Sequence, residues 1–103
     1  MIARLWHGWT TPEDADTYQR ILLTSVIPGI EAMDIPGLHG VEVLRRALDD
    51  EVEFLTIMRF DTLDDVRAFV GEDHEVAHVP AEARAVLKRF DARSRHYTTV
   101  RGG

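Results

Sequence analysis

Cysteine is absent from the 103 residues, which removes disulfides, thiolate nucleophiles and Cys-ligated zinc or iron–sulfur centres from consideration. No apolar run approaches the roughly 18 residues that a membrane-crossing helix needs. A basic excess is missing too: 12 Lys and Arg stand against 18 Asp and Glu, for a net charge of −6. Nucleic acids and anionic membranes select for basic surfaces, so neither is an expected partner. Met1 leads straight into a strand-like segment, without the basic start and apolar stretch of a secretory signal. A cytoplasmic location is the expectation. Repeats, low-complexity tracts and linkers are likewise missing.

An apolar fraction of 45% with 29% charged residues is ordinary for a globular protein, and the length fits one domain over 1–103. The stretch Val52–His78 carries the strongest signals. Val52, Phe54, Thr56, Met58 and Phe60 alternate with Leu55 and Ile57, a strand apolar on both faces that needs two covering layers. Thr62 and Asp65 form a capping box, and Leu63, Val66, Phe69 and Val70 repeat at helical spacing until Gly71 stops the helix.

Upstream, Met1–Trp9 alternates as a strand, with Ile2, Arg4, Trp6 and Gly8 on one face and Ala3, Leu5, His7 and Trp9 on the other. Thr11, Pro12 and Asp14 predict a helix start, followed by an apolar stripe of Tyr18, Leu22 and Val26. Pro28 should kink or end that helix near Ile27. Leu38–Leu48 reads as a strand with His39, Val41, Val43 and Arg45 on one face, and Asp49-Asp50-Glu51 as a hairpin tip. Pro80 is expected to open a third helix carrying Ala83, Leu87 and Phe90, and Asp91–Arg101 a closing strand.

The order strand, helix, strand, strand, helix, strand is that of the ferredoxin-like βαββαβ fold, an α+β arrangement with a four-stranded antiparallel sheet. Helices cover one face of such a sheet. The other face would leave a large apolar patch wet, which predicts a homodimer with sheet packed on sheet.

Several segments resemble the antibiotic biosynthesis monooxygenase superfamily of dimeric α/β barrels. They are the Trp9-Thr10 strand end, Phe60–Phe69, Gly71-Glu72-Asp73, Pro80–Arg84 and Arg95-His96-Tyr97. The resemblance implies a pocket between helices and sheet, and a barrel at the dimer interface. For the cofactor-free members it also implies oxidation of an aromatic, anthrone-type or quinone-like small molecule by dioxygen. The heme-degrading members share an Asn on the first strand, a Trp on the second main helix and a His beyond it. Here His7 takes the Asn position, Leu63–Val70 contains no Trp, and only His78 matches. No heme or other cofactor is therefore expected.

Two histidines are candidate bases for such chemistry, His7 and His78, since a neutral imidazole accepts protons near pH 7. Trp9, Phe69 and His74 are candidate pocket-lining residues, and His96 and Tyr97 candidate dimer-interface residues. Each also has a plain structural reading, as core, rim or hydrogen-bonded surface. His74-Glu75-Val76-Ala77-His78 matches the H-E-x-x-H zinc pattern, but that pattern works only on a continuous helix with a third ligand. Gly71 before it and Pro80 after it argue against such a helix, so no metal site is expected. The scaffold is equally compatible with a non-catalytic small-molecule-binding dimer.

Overall fold

The computed structural model describes residues 1–102. Strand β1 (Ile2–Thr10) lies at the centre, antiparallel to β3 (Val52–Phe60), which pairs in turn with β2 (Leu38–Ala47). On the far edge of β1 two short strands follow one another: β4 (Arg89–Phe90) against Gly8 and Trp9, and β5 (Arg95–Thr98) against Ile2–Leu5. Five strands thus fill four positions in the order β2-β3-β1-β4/β5. This is the α+β, ferredoxin-like arrangement that the element order predicts, with the last strand divided.

The division has a local cause. At Asp91 the chain still donates its N–H to the His7 carbonyl (2.9 Å), while the Asp91 carboxylate accepts the His7 N–H (3.0 Å). The side chain has taken over the bond that the Asp91 carbonyl would have made, and that carbonyl accepts from Trp6 Nε1 instead (2.9 Å). The backbone then swings out, bonds to the Glu75 carbonyl through Ser94 N–H (2.8 Å), and returns two residues out of register at Arg95.

The first helical run consists of α1 (Ala15–Ile21), a wider π-type turn (Leu22–Val26) and α2 (Ile27–Ala32), continuous with one another. Pro28 does not end it. Proline removes one donor and crowds the carbonyl four residues back, Thr24, whose hydroxyl also bonds to the Arg20 carbonyl (2.7 Å). The helix accommodates both by widening: Ile27 N–H reaches back five residues to Leu22. Ala15, Tyr18, Leu22, Val26 and Ile30 are buried along one stripe. At the start of the run the expected capping box is half made, with Thr11 Oγ1 accepting from Asp14 N–H (3.3 Å) but no return bond.

Helix α3 (Leu63–Val70) has the complete box. Thr62 Oγ1 accepts from Asp65 N–H and Asp65 Oδ2 from Thr62 N–H, both at 3.2 Å. The third helix is much shorter than the sequence suggests. Instead of running through Phe90, α4 spans Ala81–Arg84 only. Lys88 N–H bonds to the Trp9 carbonyl (2.8 Å), and Lys88 and Arg89 both pair with Glu51 on the β2–β3 hairpin, so the chain is drawn into the sheet edge. Leu87 packs where a Gly8 side chain would otherwise stand. Among the described residues no helix is long and apolar enough to cross a membrane.

All the helices lie on one face of the sheet, over Phe54, Met58, Phe60 and Val52. Phe54 meets Tyr18 edge-on at 4.8 Å, and Phe60 lies 6.2 Å from Phe69. The register leaves Ala3, Leu5, His7 and Trp9 on the open face beside Leu55 and Ile57, with Leu44 and Tyr97 in the flanking strands. His39 departs from its predicted face. A bulge between Leu38 and Gly40 keeps Leu38 and Val41 inward and turns His39 out to Asp61 (2.6 Å).

Gly37 and Gly29 give a matched pair for testing this packing. Gly37 has φ +82°, and a Cβ there would fall on the Asp65 carboxylate; a Cβ on Gly29 meets nothing within 4 Å. Gly37→Ala should lower unfolding stability by more than about 2 kcal/mol, through backbone strain and a disturbed cap. Gly29→Ala should raise it by about 0.5–1 kcal/mol through helix propensity. Urea denaturation of the two variants measures both, and equal effects would contradict the placement.

Candidate functional site

Between the first helical run and the sheet is a narrow slot of about 50 Å³. Tyr18, Leu22, Val26, Ile27 and Ile30 form the helical wall, which includes the widened turn. Trp6, Val41, Thr56 and Met58 form the sheet floor, and Phe69, His78, Pro80 and Ser94 the far end. Among the described residues no Asp or Glu lines it. The walls are apolar and aromatic, and few polar groups are available to orient a bound molecule.

The main polar group is Arg4, which alternation brings to the inner face of β1 between Ile2 and Trp6. It is only 3% exposed. Its Nη1 donates to the His74 carbonyl (2.5 Å) and lies 3.0 Å from His96 Nε2, while Nη2 donates to the Val76 carbonyl (2.5 Å). The guanidinium also stands 5.5 Å from the centre of the Phe69 ring. Burial lowers its pKa to about 10, which leaves it charged at neutral pH.

Burial, and after it the Arg4 charge, acts on two histidines beside that arginine, His96 and His78. His96 is held down to about 4, first because burial penalises its charged form, then because of the Arg4 charge and His74. As an acceptor from Arg4, its Nε2 leaves the proton on Nδ1, which is buried without a hydrogen-bond partner. His78 lines the slot, its ring 5.0 Å from Phe69. Partial burial and then Arg4 lower its pKa as well, so at neutral pH it is an uncharged base. Tyr18, 1% exposed, has its phenol pKa raised by burial and stays protonated.

The residues anticipated from sequence divide between the two faces. Phe69 and His78 line the slot. His7 and Trp9 do not: they lie on the open face, because adjacent strand residues point opposite ways and Trp6 takes the inner position. There His7 bonds through Nδ1 to Asp91 (2.9 Å), lies 3.6 Å from Glu53 and stacks on Trp9, while Trp9 packs under Arg89 at 3.8 Å. His74 is absent from the lining; its carbonyl holds Arg4 and its ring packs edge-on to His96 at 5.1 Å. Of the pair expected at an interface, Tyr97 is on the open face, 53% exposed, but His96 faces inward beside Arg4.

Residues 74–78 are not helical. Val76 instead bridges to Arg93 and the Glu75 carboxylate pairs with Arg93 (3.0 Å), so the two histidines do not share a helix face. The sequence reading passed over Arg4, Tyr18 and Ser94 as site residues. Arg4 had a usable signal: a permanent charge at an apolar position of a strand that is apolar on both faces.

No protein-family model matches the chain, and no curated protein matches its sequence. Solved structures do match it. One is a Bacillus cereus protein provisionally described as an antibiotic biosynthesis monooxygenase. It aligns over 99% of this chain and 95% of its own, with a TM-score of 0.66 at 9% identity. Another is an ethyl tert-butyl ether D (EthD) family protein from Bacillus halodurans, aligned over 97% of this chain and 100% of its own, with a TM-score of 0.55 at 14% identity. At such identities the likeness establishes a shared fold.

The depressed His96 pKa has a consequence for stability. An unfolded histidine takes up a proton near pH 6.5, whereas folded His96 does so only near 4. Across that window the unfolded chain binds more protons, so stability falls as pH falls. The urea midpoint should drop between pH 7 and pH 5. His96→Gln, which still offers Arg4 an acceptor but does not titrate, should reduce the drop. An unchanged drop would show that His96 titrates normally.

Proposed function

We propose that this chain is a cofactor-independent monooxygenase that oxidises a small planar aromatic or quinone-like molecule with dioxygen in the slot between helices and sheet. The observation that carries this reading is a neutral base, His78, lining an aromatic-walled slot without carboxylates among the described residues. The shared fold with a protein provisionally described as an antibiotic biosynthesis monooxygenase supports the same choice.

In such a reaction His78 takes a proton from an activated ring CH₂ of the substrate. The resulting carbanion reduces dioxygen by one electron, and the two radicals combine as a peroxide. Loss of water then leaves a carbonyl. One O₂ and one CH₂ become one C=O and one H₂O, and the electrons come from the substrate. Trp6, Tyr18 and Phe69 supply flat contact surfaces that keep bulk water off the carbanion.

The protein works in this reading as a cytoplasmic homodimer. Leu44, Leu55, Ile57, Leu5 and Tyr97 make a diagonal apolar band on the open sheet face. Charges beside the band are already matched within the chain, Arg46 to Glu53 (2.7 Å) and Arg59 to Glu42 (3.2 Å), so covering them strands little charge. Binding without turnover is the competing reading on this scaffold.

Oxygen uptake with dithranol, an anthrone, together with the appearance of quinone absorbance, tests the reaction. Wild type should consume oxygen stoichiometrically with quinone formed, and His78→Ala should slow this by about 100-fold or more. A dithranol-induced rise in melting temperature without uptake would favour the binding module. If His7→Ala abolishes turnover instead, the chemistry belongs to the open face.

A further inference from the structure

We propose that the molecule taken by this slot is an anion, an aromatic carrying a carboxylate or an acidic phenol, and that Arg4 holds its negative charge. This rests on the preceding reading that the slot is the ligand site, and adds the charge and the residue that selects for it.

The starting point is an imbalance. Of the ten other arginines, six at the surface, Arg45, Arg46, Arg59, Arg67, Arg89 and Arg93, each have a carboxylate within 3.2 Å. Arg4, the buried one, has no carboxylate within 4 Å among the described residues. Surface pairs contribute little, whereas a buried charge without a counter-charge is costly. The protein has thus left unpaired the one arginine for which pairing matters most.

Its surroundings deepen the imbalance. Two carbonyls and the neutral His96 supply dipoles, not a charge. A guanidinium has five N–H groups in a planar fork, and these three contacts use three of them. On the neighbouring loop, the carboxylates of Glu75 and Asp73 are both committed to Arg93. Arg4 also lines the slot, with Phe69 and His78 beside it. The result is one net positive charge at the inner wall of an apolar slot, beside a flat aromatic surface. That combination fits an acidic group attached to a ring, since guanidinium and carboxylate match in shape and the low-dielectric walls strengthen their attraction.

The experiment is calorimetric titration of the full-length protein at pH 7.5 in 150 mM salt with matched pairs: 2-naphthoate against 2-naphthamide, and 2-anthracenecarboxylate against its amide. Each pair differs in charge and hardly in shape. The acids should bind at least about tenfold more tightly than the amides. Arg4→Met should erase that preference, and Arg4→Lys should keep part of it. If acid and amide bind equally, the charge proposal is overturned while the slot remains a ligand site. If none of the four binds, the slot reading fails and this proposal with it. If the preference survives in Arg4→Met, a charge elsewhere is responsible and Arg4 is excluded. Should Arg4→Met not fold, the wild-type pairs together with Arg4→Lys decide the matter.

Discussion

Everything in this molecule follows from a sheet whose two central strands are apolar on both sides. β3 sends Phe54, Met58 and Phe60 inward and Leu55 and Ile57 outward, and β1 sends Trp6 inward and Leu5 and Trp9 outward. One continuous helical run with two short helices can shield a single side. The inner side becomes the core and, where the helix widens around Thr24 and Pro28, an incompletely filled slot. The outer side keeps half-exposed apolar groups framed by ion pairs satisfied across neighbouring strands. Both the internal site and the pressure to associate come from this one arrangement.

Within the slot, a single buried cation sets the chemistry. Arg4 pulls in two backbone carbonyls from the 74–76 segment and thereby fixes the loop that carries His78. Its charge, added to burial, keeps His78 and His96 neutral. A neutral base next to a fixed positive charge suits proton abstraction that leaves an anion behind. The same arrangement makes the 74–78 segment unsuitable as a zinc helix: its carbonyls face Arg4, and its one carboxylate is held by Arg93.

Where patterning and packing agreed, the fold could be read from residues alone. The alternation in β3, the Thr62–Asp65 cap and the Gly71 stop each involve neighbours in sequence, and each has its expected place. The failures involve partners far apart in the chain. Asp91 breaks the last strand because its carboxylate meets the N–H of His7, 84 positions away. The helix after Pro80 stops early because Lys88 and Arg89 are claimed by Glu51 and by the edge of β1. His39 faces outward because of a single bulged residue, which no period-two pattern displays. Assigning His7 and Trp9 to the pocket took the wrong side of a correctly read alternation. Both faces of β1 hold a tryptophan, and only the helices decide which is inside. Within the candidate site Phe69 and His78 were legible; Arg4, Tyr18 and Ser94 needed the packed structure to stand out.

The sheet that is apolar front and back is the claim on which the rest stands, and the state of association tests it most directly. Sedimentation velocity at micromolar concentration should give a single species of twice the 11.7 kDa chain mass. Leu55→Glu with Ile57→Glu should convert it to a folded monomer. A stable wild-type monomer at that concentration would contradict the account, because the open face would then be content in water.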